Sequence, residues 1–233
     1  MNTFENWDDE NVNIKTNLLR GIYAYGYEKP SPIQQQAIIP MQKGKDLIAQ
    51  AQSGTGKTGA FTIGTLQYMD ETLQKPQIIV LSPTRELAHQ TYSVYKSIGN
   101  MMKLTLCLMS GNISISENIN ALSRDPQIIV CCPGRLNDML RRNIMDTSHI
   151  RSLVLDEADE MLSVGFKEQI YQIFQYLPES IGVSLFSATL PSELHELTSK
   201  FMREPIKILV KSEMLTLEGI SQYYIALDND SEK

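Results

Sequence analysis

The sequence has few cysteines, no excess of basic residues and no long apolar run, and each absence excludes a class of protein. Its three cysteines, Cys107, Cys131 and Cys132, include an adjacent pair and give neither a disulfide framework nor a metal-ligand spacing. No window approaches ~18 uncharged apolar residues, and the acidic, polar start resembles neither a signal nor a transit peptide. We therefore expect an intracellular protein that does not span a membrane.

Basic residues do not dominate either. Against 27 acidic residues there are 21 basic ones, and the net charge of −6 leaves no overall basic surface for nucleic acid. If the chain binds a polynucleotide, it does so through a local groove and not through bulk electrostatic attraction.

Short apolar runs alternate with helix-like stretches along the chain. The runs are nearly continuous in apolar residues, which is typical of strands covered on both faces; they are Asp46–Ala49, Gln77–Ser82, Leu104–Met109, Gln127–Cys132, Ser152–Asp156, Val183–Ser187 and Ile206–Val210. The helix-like stretches are Thr16–Tyr25, Ser31–Lys43, Gly56–Asp70, Arg85–Asn100, Gly134–Arg142, Phe166–Leu177 and Ser192–Met202. This order predicts one α/β domain with a largely parallel sheet of about seven strands, flanked by helices on both faces.

The segment AQSGTGKTG follows the first apolar run and leads into a helix. In an open parallel sheet, ligands bind beyond the carboxyl ends of the strands, and this segment has the glycine spacing of a phosphate-binding loop, with Ala51 in place of the first glycine. Lys57 would reach the β- and γ-phosphates, and Thr58 would bind Mg²⁺. The alternative is a glycine-rich turn with a surface lysine. The phosphate-binding prediction covers Ala51, Gln52, Ser53, Gly54, Thr55, Gly56, Lys57 and Thr58.

Two acidic residues, Asp156 and Glu157, follow the fifth apolar run. An aspartate at this place suits a second Mg²⁺ contact in a nucleotide hydrolase, and Glu157 is placed to orient or deprotonate the attacking water. The alternative is a solvated helix start, where acidic residues interact favourably with the helix dipole. The preceding phosphate-binding segment favours the catalytic interpretation.

Four motifs and an upstream segment together resemble the DEAD-box RNA helicases. The motifs are AQSGTGKT, PTRELA at Pro83–Ala88, DEAD at Asp156–Asp159 and SAT at Ser187–Thr189, and they occur in the order seen in that family. Upstream, GYEKPSPIQ at Gly26–Gln34 is similar to the family's adenine-reading segment. LLRGIYAYGYEKPS and LDEADEML are most like the translation initiation factor 4A group, including its exon-junction relatives. The resemblance extends from about Leu18 to Lys211 and implies a RecA-like phosphate-binding domain.

For the nucleotide, the resemblance implies ATP with Mg²⁺. Tyr27 would stack on adenine, and the amide of Gln34, which both donates and accepts, would bind the adenine edge. Phe4 and Trp7 are both candidates for the family's upstream aromatic near this pocket, and neither has the usual spacing from Gln34. Coupling of the nucleotide state to RNA binding is implied for Asp159, Ser187 and Thr189.

For RNA, the resemblance implies contacts with the sugar–phosphate backbone, and therefore binding that does not depend on sequence. The implied residues follow three apolar runs, where a helix start could bind a phosphate. They are Pro83, Thr84, Arg85, Gly111, Pro133, Gly134 and Arg135.

The family has a second RecA-like lobe, and no part of this chain resembles it. We expect residues 1–15 to be an N-terminal extension, 16–211 the ATP-binding domain, and 212–233 the start of a linker to that lobe. The chain is either part of a two-lobe protein or a natural half-protein. Because the segment Thr216–Lys233 stops without a structural reason, we expect the first. We expect a monomer that hydrolyses ATP slowly alone, because the second lobe carries the arginine fingers, worth about 10³–10⁵ in rate.

The expected function is RNA-stimulated ATP hydrolysis coupled to RNA unwinding or to remodelling of RNA–protein complexes. Translation initiation or mRNA processing would be the setting, with scaffold proteins as partners and with a cytoplasmic location favoured over a nuclear one. Two alternatives stay open: a non-catalytic, ATP-gated RNA clamp that anchors partner proteins, and a P-loop small-molecule kinase.

Overall fold

The computed structural model describes residues 4–209, so the expected linker at 212–233 lies outside the described residues. Within that range seven strands form one sheet, and each overlaps a predicted apolar run. They are β1 (Leu47–Gln50), β2 (Ile78–Leu81), β3 (Leu106–Met109), β4 (Ile128–Cys131), β5 (Ser152–Leu155), β6 (Gly182–Ser187) and β7 (Ile206–Leu209).

The strand order is β3-β4-β2-β5-β6-β1-β7, and every neighbouring pair is parallel, which confirms the predicted sheet. Because all strands run the same way, the segments that follow them lie at one edge. β6 pairs with β1 on one side and with β5 on the other. The loop after β1 and the acids after β5 therefore flank the carboxyl end of β6.

Helices cover both faces, as expected. The first face carries α1 (Thr16–Ala24), α2 (Pro32–Gln42), α3 (Lys57–Tyr68) and α4 (Arg85–Ile98). The second carries α5 (Ile115–Leu122), α6 (Pro133–Arg141), α7 (Ala158–Ser163), α8 (Lys167–Tyr176) and α9 (Ser192–Phe201). Successive strand residues point to opposite sides: Leu47 and Ala49 pack under the first set, and Ile48 packs under the second.

The sequence reasoning missed α5 and α7. A signal for α5 was present, because Ser114 and Glu117 form a capping box: the Glu117 amide donates to Ser114 Oγ at 3.2 Å, and the Ser114 amide donates to the Glu117 carboxylate at 3.0 Å. α7 has only six residues, too few for a clear apolar period.

The segment from Phe4 to Lys15, expected as an extension, is packed onto the first face. Phe4, Trp7 and Val12 are fully buried in the same apolar cluster as α1–α4. Lys15 Nζ donates to the carbonyls of Leu66 and Met69, at 3.2 and 2.6 Å, at the end of α3. A cation at this place satisfies carbonyls that the helix leaves unpaired.

Between residues 4 and 209, the helices are too short or too polar for any of them to cross a membrane.

The burial of Trp7 predicts that the N-terminal segment is part of the cooperative core. Trp7→Ala is expected to lower the free energy of unfolding by about 3–5 kcal/mol, because it leaves a large cavity. Urea unfolding followed by far-UV circular dichroism measures this, since Trp7 is the chain's only tryptophan and cannot serve as the fluorophore in its own variant.

The matched control is Tyr23→Ala, at a ring that is 46% exposed, where a change within about 0.5 kcal/mol is expected. A loss below about 1 kcal/mol for the Trp7 variant would show that the segment is dispensable for folding.

Candidate functional site

The segment after β1 turns sharply into α3. The Ala51 amide donates to the Ser187 carbonyl at 3.0 Å, which fixes the start of the loop to the end of β6. Gly54 and Gly56 have φ values of +81° and +96°, a region that residues with a Cβ rarely adopt. The Thr55 hydroxyl donates to the Gln52 carbonyl at 2.9 Å and closes the turn. A curled backbone that ends at a helix N-terminus is suited to binding an anion.

Lys57 lies in the first turn of α3 and is only 5% exposed. Its ammonium donates to both carboxylate oxygens of Glu157, at 2.8 and 3.0 Å. Lys57, predicted to bind phosphate, and Glu157, predicted to orient water, thus form an ion pair across the cleft.

Asp156 is equally buried, at 5% exposure. Burial raises the pKa of its carboxyl to about 7, the neighbouring Glu157 charge adds to this rise, and the Lys57 charge opposes it. Its Oδ1 accepts from the Glu157 amide at 3.1 Å. A buried carboxylate of this kind gains most from a cation placed beside it.

The backbone of Glu157 is left-handed, with φ +48° and ψ +53°. Such a conformation costs a residue with a Cβ about 1–3 kcal/mol and persists only where the surrounding structure imposes it. Here Glu157 is the N-cap of α7 and its side chain is bound by Lys57. The strain therefore sits at the turn that presents both acids to the cleft.

Asp159, Ser187 and Thr189, predicted to act together, are in contact. The Asp159 amide donates to Ser187 Oγ at 3.2 Å, and the amide and hydroxyl of Thr189 donate to Asp159 Oδ2 at 2.9 and 2.7 Å. Partial burial would raise the pKa of Asp159, but hydrogen bonds involving Thr189 and Ser187 outweigh it and hold the pKa below its usual value. These bonds tie the segment after β6 to α7.

Gln34 is buried beneath the loop that follows β1. Its Oε1 accepts from the Ser31 amide at 2.8 Å, and its Nε2 donates to the Gly56 carbonyl at 3.2 Å. One N–H and one lone pair of the amide remain available for another partner. A Cβ at Gly59 would lie 2.6 Å from Gln34 Nε2 and 2.8 Å from the Tyr27 hydroxyl, so glycine is needed for this packing.

Trp7 lies directly against Tyr27. The two rings are near parallel, with centroids 6.4 Å apart and an interplanar angle of 20°. Phe4 packs on Trp7, with ring centroids 5.8 Å apart. Tyr25 packs edge-on against Tyr27 at 4.9 Å. Of the two candidates left open by the sequence, Trp7 is the one that supports Tyr27.

A cleft of about 280 Å³ lies in front of these groups. It brings together eight of the predicted residues: Tyr27, Ser53, Gly54, Gly56, Lys57, Thr58, Asp156 and Glu157. Four others, Gln34, Ala51, Gln52 and Thr55, do not line it. The sequence reasoning missed Tyr25, Gly59 and one side of α4, namely Leu87, Gln90, Thr91 and Val94. Their i, i+3, i+4 spacing was a signal for one helix face, but not for what that face meets.

A second hollow, of about 510 Å³, is lined by most of the residues predicted to contact RNA, and after that prediction it is called the RNA groove below. It is lined by Pro83, Thr84, Arg85, Gly111, Gly134 and Arg135, and Pro133 is buried outside the lining. Glu86, Cys132, Asp138 and Phe166 also line it and were not predicted. Segments after β2, β3 and β4 thus converge on one groove.

The two predicted arginines lie against the segment that follows β3. A Cβ at Gly111 would lie 2.9 Å from the Arg85 guanidinium, so these groups are in close contact. Arg135 Nη1 donates to the Ile113 carbonyl at 2.8 Å and to the side chain of Asn118. Arg135 therefore fastens the segment after β3 to α6.

Known proteins resemble this chain in sequence and in fold. The model of the DEAD/DEAH box helicase family matches residues 31–197. The ATP-dependent RNA helicase eIF4A of Chaetomium globosum is 53% identical over 231 residues, covering 99% of this chain and 58% of that protein. The eIF4A of Phaeosphaeria nodorum is also 53% identical, covering 95% of this chain and 56% of that protein.

Solved structures show the same fold. A DEAD box protein from Methanococcus jannaschii superimposes with a TM-score of 0.86 at 32% identity, covering 91% of this chain and 58% of that one. A Dbp5 variant of S. cerevisiae, bound to RNA and ADP BeF3, gives a TM-score of 0.83 at 33% identity, covering 94% and 55%.

The chain spans a little more than half the length of the curated relatives that it matches. The family model covers most of the chain, and the eIF4A relatives align with nearly all of it at about 50% sequence identity. The chain therefore belongs to the DEAD/DEAH box helicase family.

Proposed function

We propose that this chain is the ATP-binding and RNA-contacting lobe of an ATP-dependent RNA helicase. The observation that carries the proposal is the ion pair between Lys57 and Glu157 beside the buried Asp156, at the same sheet edge as the RNA groove. A lysine that can bind an anion, a carboxylate that can act as a base and a buried carboxylate that can bind a metal line one cleft, and this supports the proposal.

ATP would bind through the loop after β1 and through Tyr27 and Gln34. The free N–H and lone pair of Gln34 match the acceptor and the donor on the edge of adenine, while Tyr27 supplies a ring face that Trp7 holds in place. The phosphates would lie on the backbone of Ala51–Thr58, with Lys57 at the terminal groups.

Mg²⁺ would be held by Thr58 and Asp156. Both residues line the cleft, and the burial of Asp156 favours a cation next to its carboxylate. Within residues 4–209 no group of three or more acidic, histidine or cysteine side chains gathers around a metal position. That fits Mg²⁺, which is usually bound by one or two protein groups together with substrate phosphates and water. When bound, it neutralises charge on the β- and γ-phosphates.

Glu157 would act on the attacking water. While Lys57 holds both of its oxygens, the carboxylate is not free to orient water. Phosphate is a competing anion for the ammonium, so nucleotide binding releases Glu157 for this role. The contacts among Asp159, Ser187 and Thr189 would then transmit the change at α7 to the end of β6.

RNA would bind in the RNA groove through its backbone, beginning with the helix start at Thr84 and Arg85. Thr84 Oγ1 caps α4 by accepting from the Leu87 amide at 3.2 Å, which leaves other first-turn N–H groups for a phosphate. Unwinding, scaffold partners and a cytoplasmic location belong to the proposal for the whole protein. The relatives' greater length supports a second lobe. No observation favours the RNA clamp or the small-molecule kinase.

The P-loop role of Lys57 predicts a large loss of nucleotide affinity on its removal. Lys57→Ala should weaken binding of a fluorescent ADP analogue with Mg²⁺ about ten- to hundredfold, because one charge-assisted contact is lost. Lys75→Ala is the matched control, since Lys75 pairs with Asp125 outside the cleft. This variant should bind the ADP analogue normally. Unchanged affinity in the Lys57 variant would reject the phosphate-binding role.

The division of labour between two lobes predicts slow hydrolysis by this chain alone. A hybrid that joins it to the remainder of the Neurospora crassa eIF4A, which matches 99% of this chain over 58% of its own length, should hydrolyse ATP with stimulation by single-stranded RNA. Glu157→Gln in the hybrid should abolish turnover and retain ATP binding, because the ion pair to Lys57 is weakened and the base is lost. Glu160→Gln, at an exposed acid three residues away, is the control.

If the short chain alone shows the full RNA-stimulated rate, the proposed need for a second lobe is wrong. If the Glu157→Gln hybrid still turns over, another group positions the water.

The raised pKa of Asp156 predicts two pH effects. Mg²⁺ binds the carboxylate, so affinity for Mg²⁺ with ADP should rise as the pH increases from 6 to 8. In the metal-free protein the folded carboxyl keeps its proton above the unfolded pKa of about 4. Asp156 therefore contributes stability that is present below that pKa and is lost as the pH rises through about 7.

Two measurements at pH 6 and pH 8 test these effects. Calorimetric titration gives the affinity for Mg²⁺ with ADP, and urea unfolding without metal gives the stability. Asp156→Asn should reduce both slopes, whereas Asp146→Asn, at an exposed acid, should leave them unchanged. Equal slopes in the two variants would contradict the assignment to Asp156.

A further inference from the structure

The RNA groove has little net charge. Arg85 and Arg135 line it together with Glu86 and Asp138, so the two basic groups are matched by two acidic ones. Asp138 is itself paired with Arg142 Nε at 2.9 Å. With a net charge of −6 on the whole chain, electrostatic attraction for a polyanion is weak. Binding would therefore gain from contacts that do not depend on charge.

Phe166 supplies such a surface. It lies in the turn between α7 and α8, where its amide donates to the Met161 carbonyl at 3.0 Å, after Gly165 at φ +88°. The ring is half-buried: part of it packs against the apolar cluster of the second face, and it also lines the RNA groove. Because packing and a fixed turn hold the ring, little conformational freedom would be lost when it binds a ligand.

Phe166 stands out among the groove residues. Gly111 and Gly134 have no side chain, Pro83 is small, and no other aromatic ring lines this groove in the part of the chain that the structure describes. A base is the part of RNA with a large apolar face, and aromatic rings in nucleic-acid grooves bind bases by stacking, whatever their sequence.

We propose that Phe166 is a stacking platform for one base of the bound RNA. This inference rests on the proposed RNA-binding function and adds a base contact to the backbone contacts. Purines present a larger face than pyrimidines, so the platform gives the groove a preference for purines at one position without reading hydrogen-bonding edges.

Fluorescence anisotropy tests the platform with the 233-residue chain, ADP, beryllium fluoride and Mg²⁺. Three fluorescein-labelled oligoribonucleotides of twelve nucleotides are used: oligoadenylate, oligouridylate and an abasic strand with the same backbone. Phe166→Leu should weaken oligoadenylate binding about five- to tenfold, oligouridylate less, and the abasic strand not at all. Phe166→Trp, with a larger ring, should bind oligoadenylate at least as tightly as the unchanged chain.

The matched control is Phe174→Leu. Phe174 is also a half-buried phenylalanine, lies on α8, and lines a different hollow that shares no residue with the RNA groove. Its variant should bind all three strands normally. Arg85→Ala tests the RNA groove itself and should weaken all three, because it removes a backbone contact.

Equal losses for oligoadenylate and the abasic strand in Phe166→Leu, or no loss for either, would overturn the platform while leaving the groove intact. Weaker oligoadenylate binding by Phe166→Trp would also overturn it. No binding by the unchanged chain, or no effect of Arg85→Ala on any strand, would instead reject the proposed RNA interface. Thermal unfolding of the two leucine variants checks that neither substitution unfolds the chain.

Discussion

The ion pair between Lys57 and Glu157 is the contact on which the rest of the site depends. It joins Lys57, the first residue of α3, to Glu157, the N-cap of α7. It also helps to hold Glu157 in a left-handed backbone conformation that is unfavourable for a residue with a Cβ. The Lys57 ammonium is buried at 5% exposure, so it needs Glu157, which is 21% exposed, or an equivalent negative charge. A phosphate is such an equivalent charge for Lys57. The site is therefore arranged so that an anionic ligand can change the partner of its lysine.

Through α7, Glu157 is connected both to the end of β6 and to the RNA groove. Glu157 begins α7, whose Asp159 is held by Thr189 and Ser187 at the end of β6. The turn at the other end of α7 carries Phe166 into the RNA groove. The six-residue helix α7 thus separates Asp156 and Glu157, in the cleft with Lys57, from the RNA groove. The arrangement gives a short physical connection between the two surfaces, although coupling through it depends on α7 having two positions.

The side of the cleft that we propose for adenine is fixed by close packing. Glycine at 56 and 59 lets Gln34 and Tyr27 approach the loop after β1, and Trp7 packs against Tyr27. The N-terminal segment therefore contributes to the core and to the pocket at once. Its anchoring by Lys15 at the end of α3 shows how a segment without regular structure becomes part of the domain.

The sequence determined the class of fold, and it predicted most of the polar residues that the structure brings into the cleft, because strand pattern and loop motifs are both local. Apolar runs such as Gln77–Ser82 fixed the strands, glycines 54 and 56 with Lys57 marked the phosphate loop, and the acids after β5 followed from their place at a strand end. Tertiary structure alone decided which side chains meet. Lys57 and Glu157 are 100 residues apart, Trp7 reaches Tyr27 through an irregular segment, and Phe166 enters the groove from a turn. The physical reason is that strand order and side-chain packing bring these groups together, and neither is encoded in the spacing of residues along the chain.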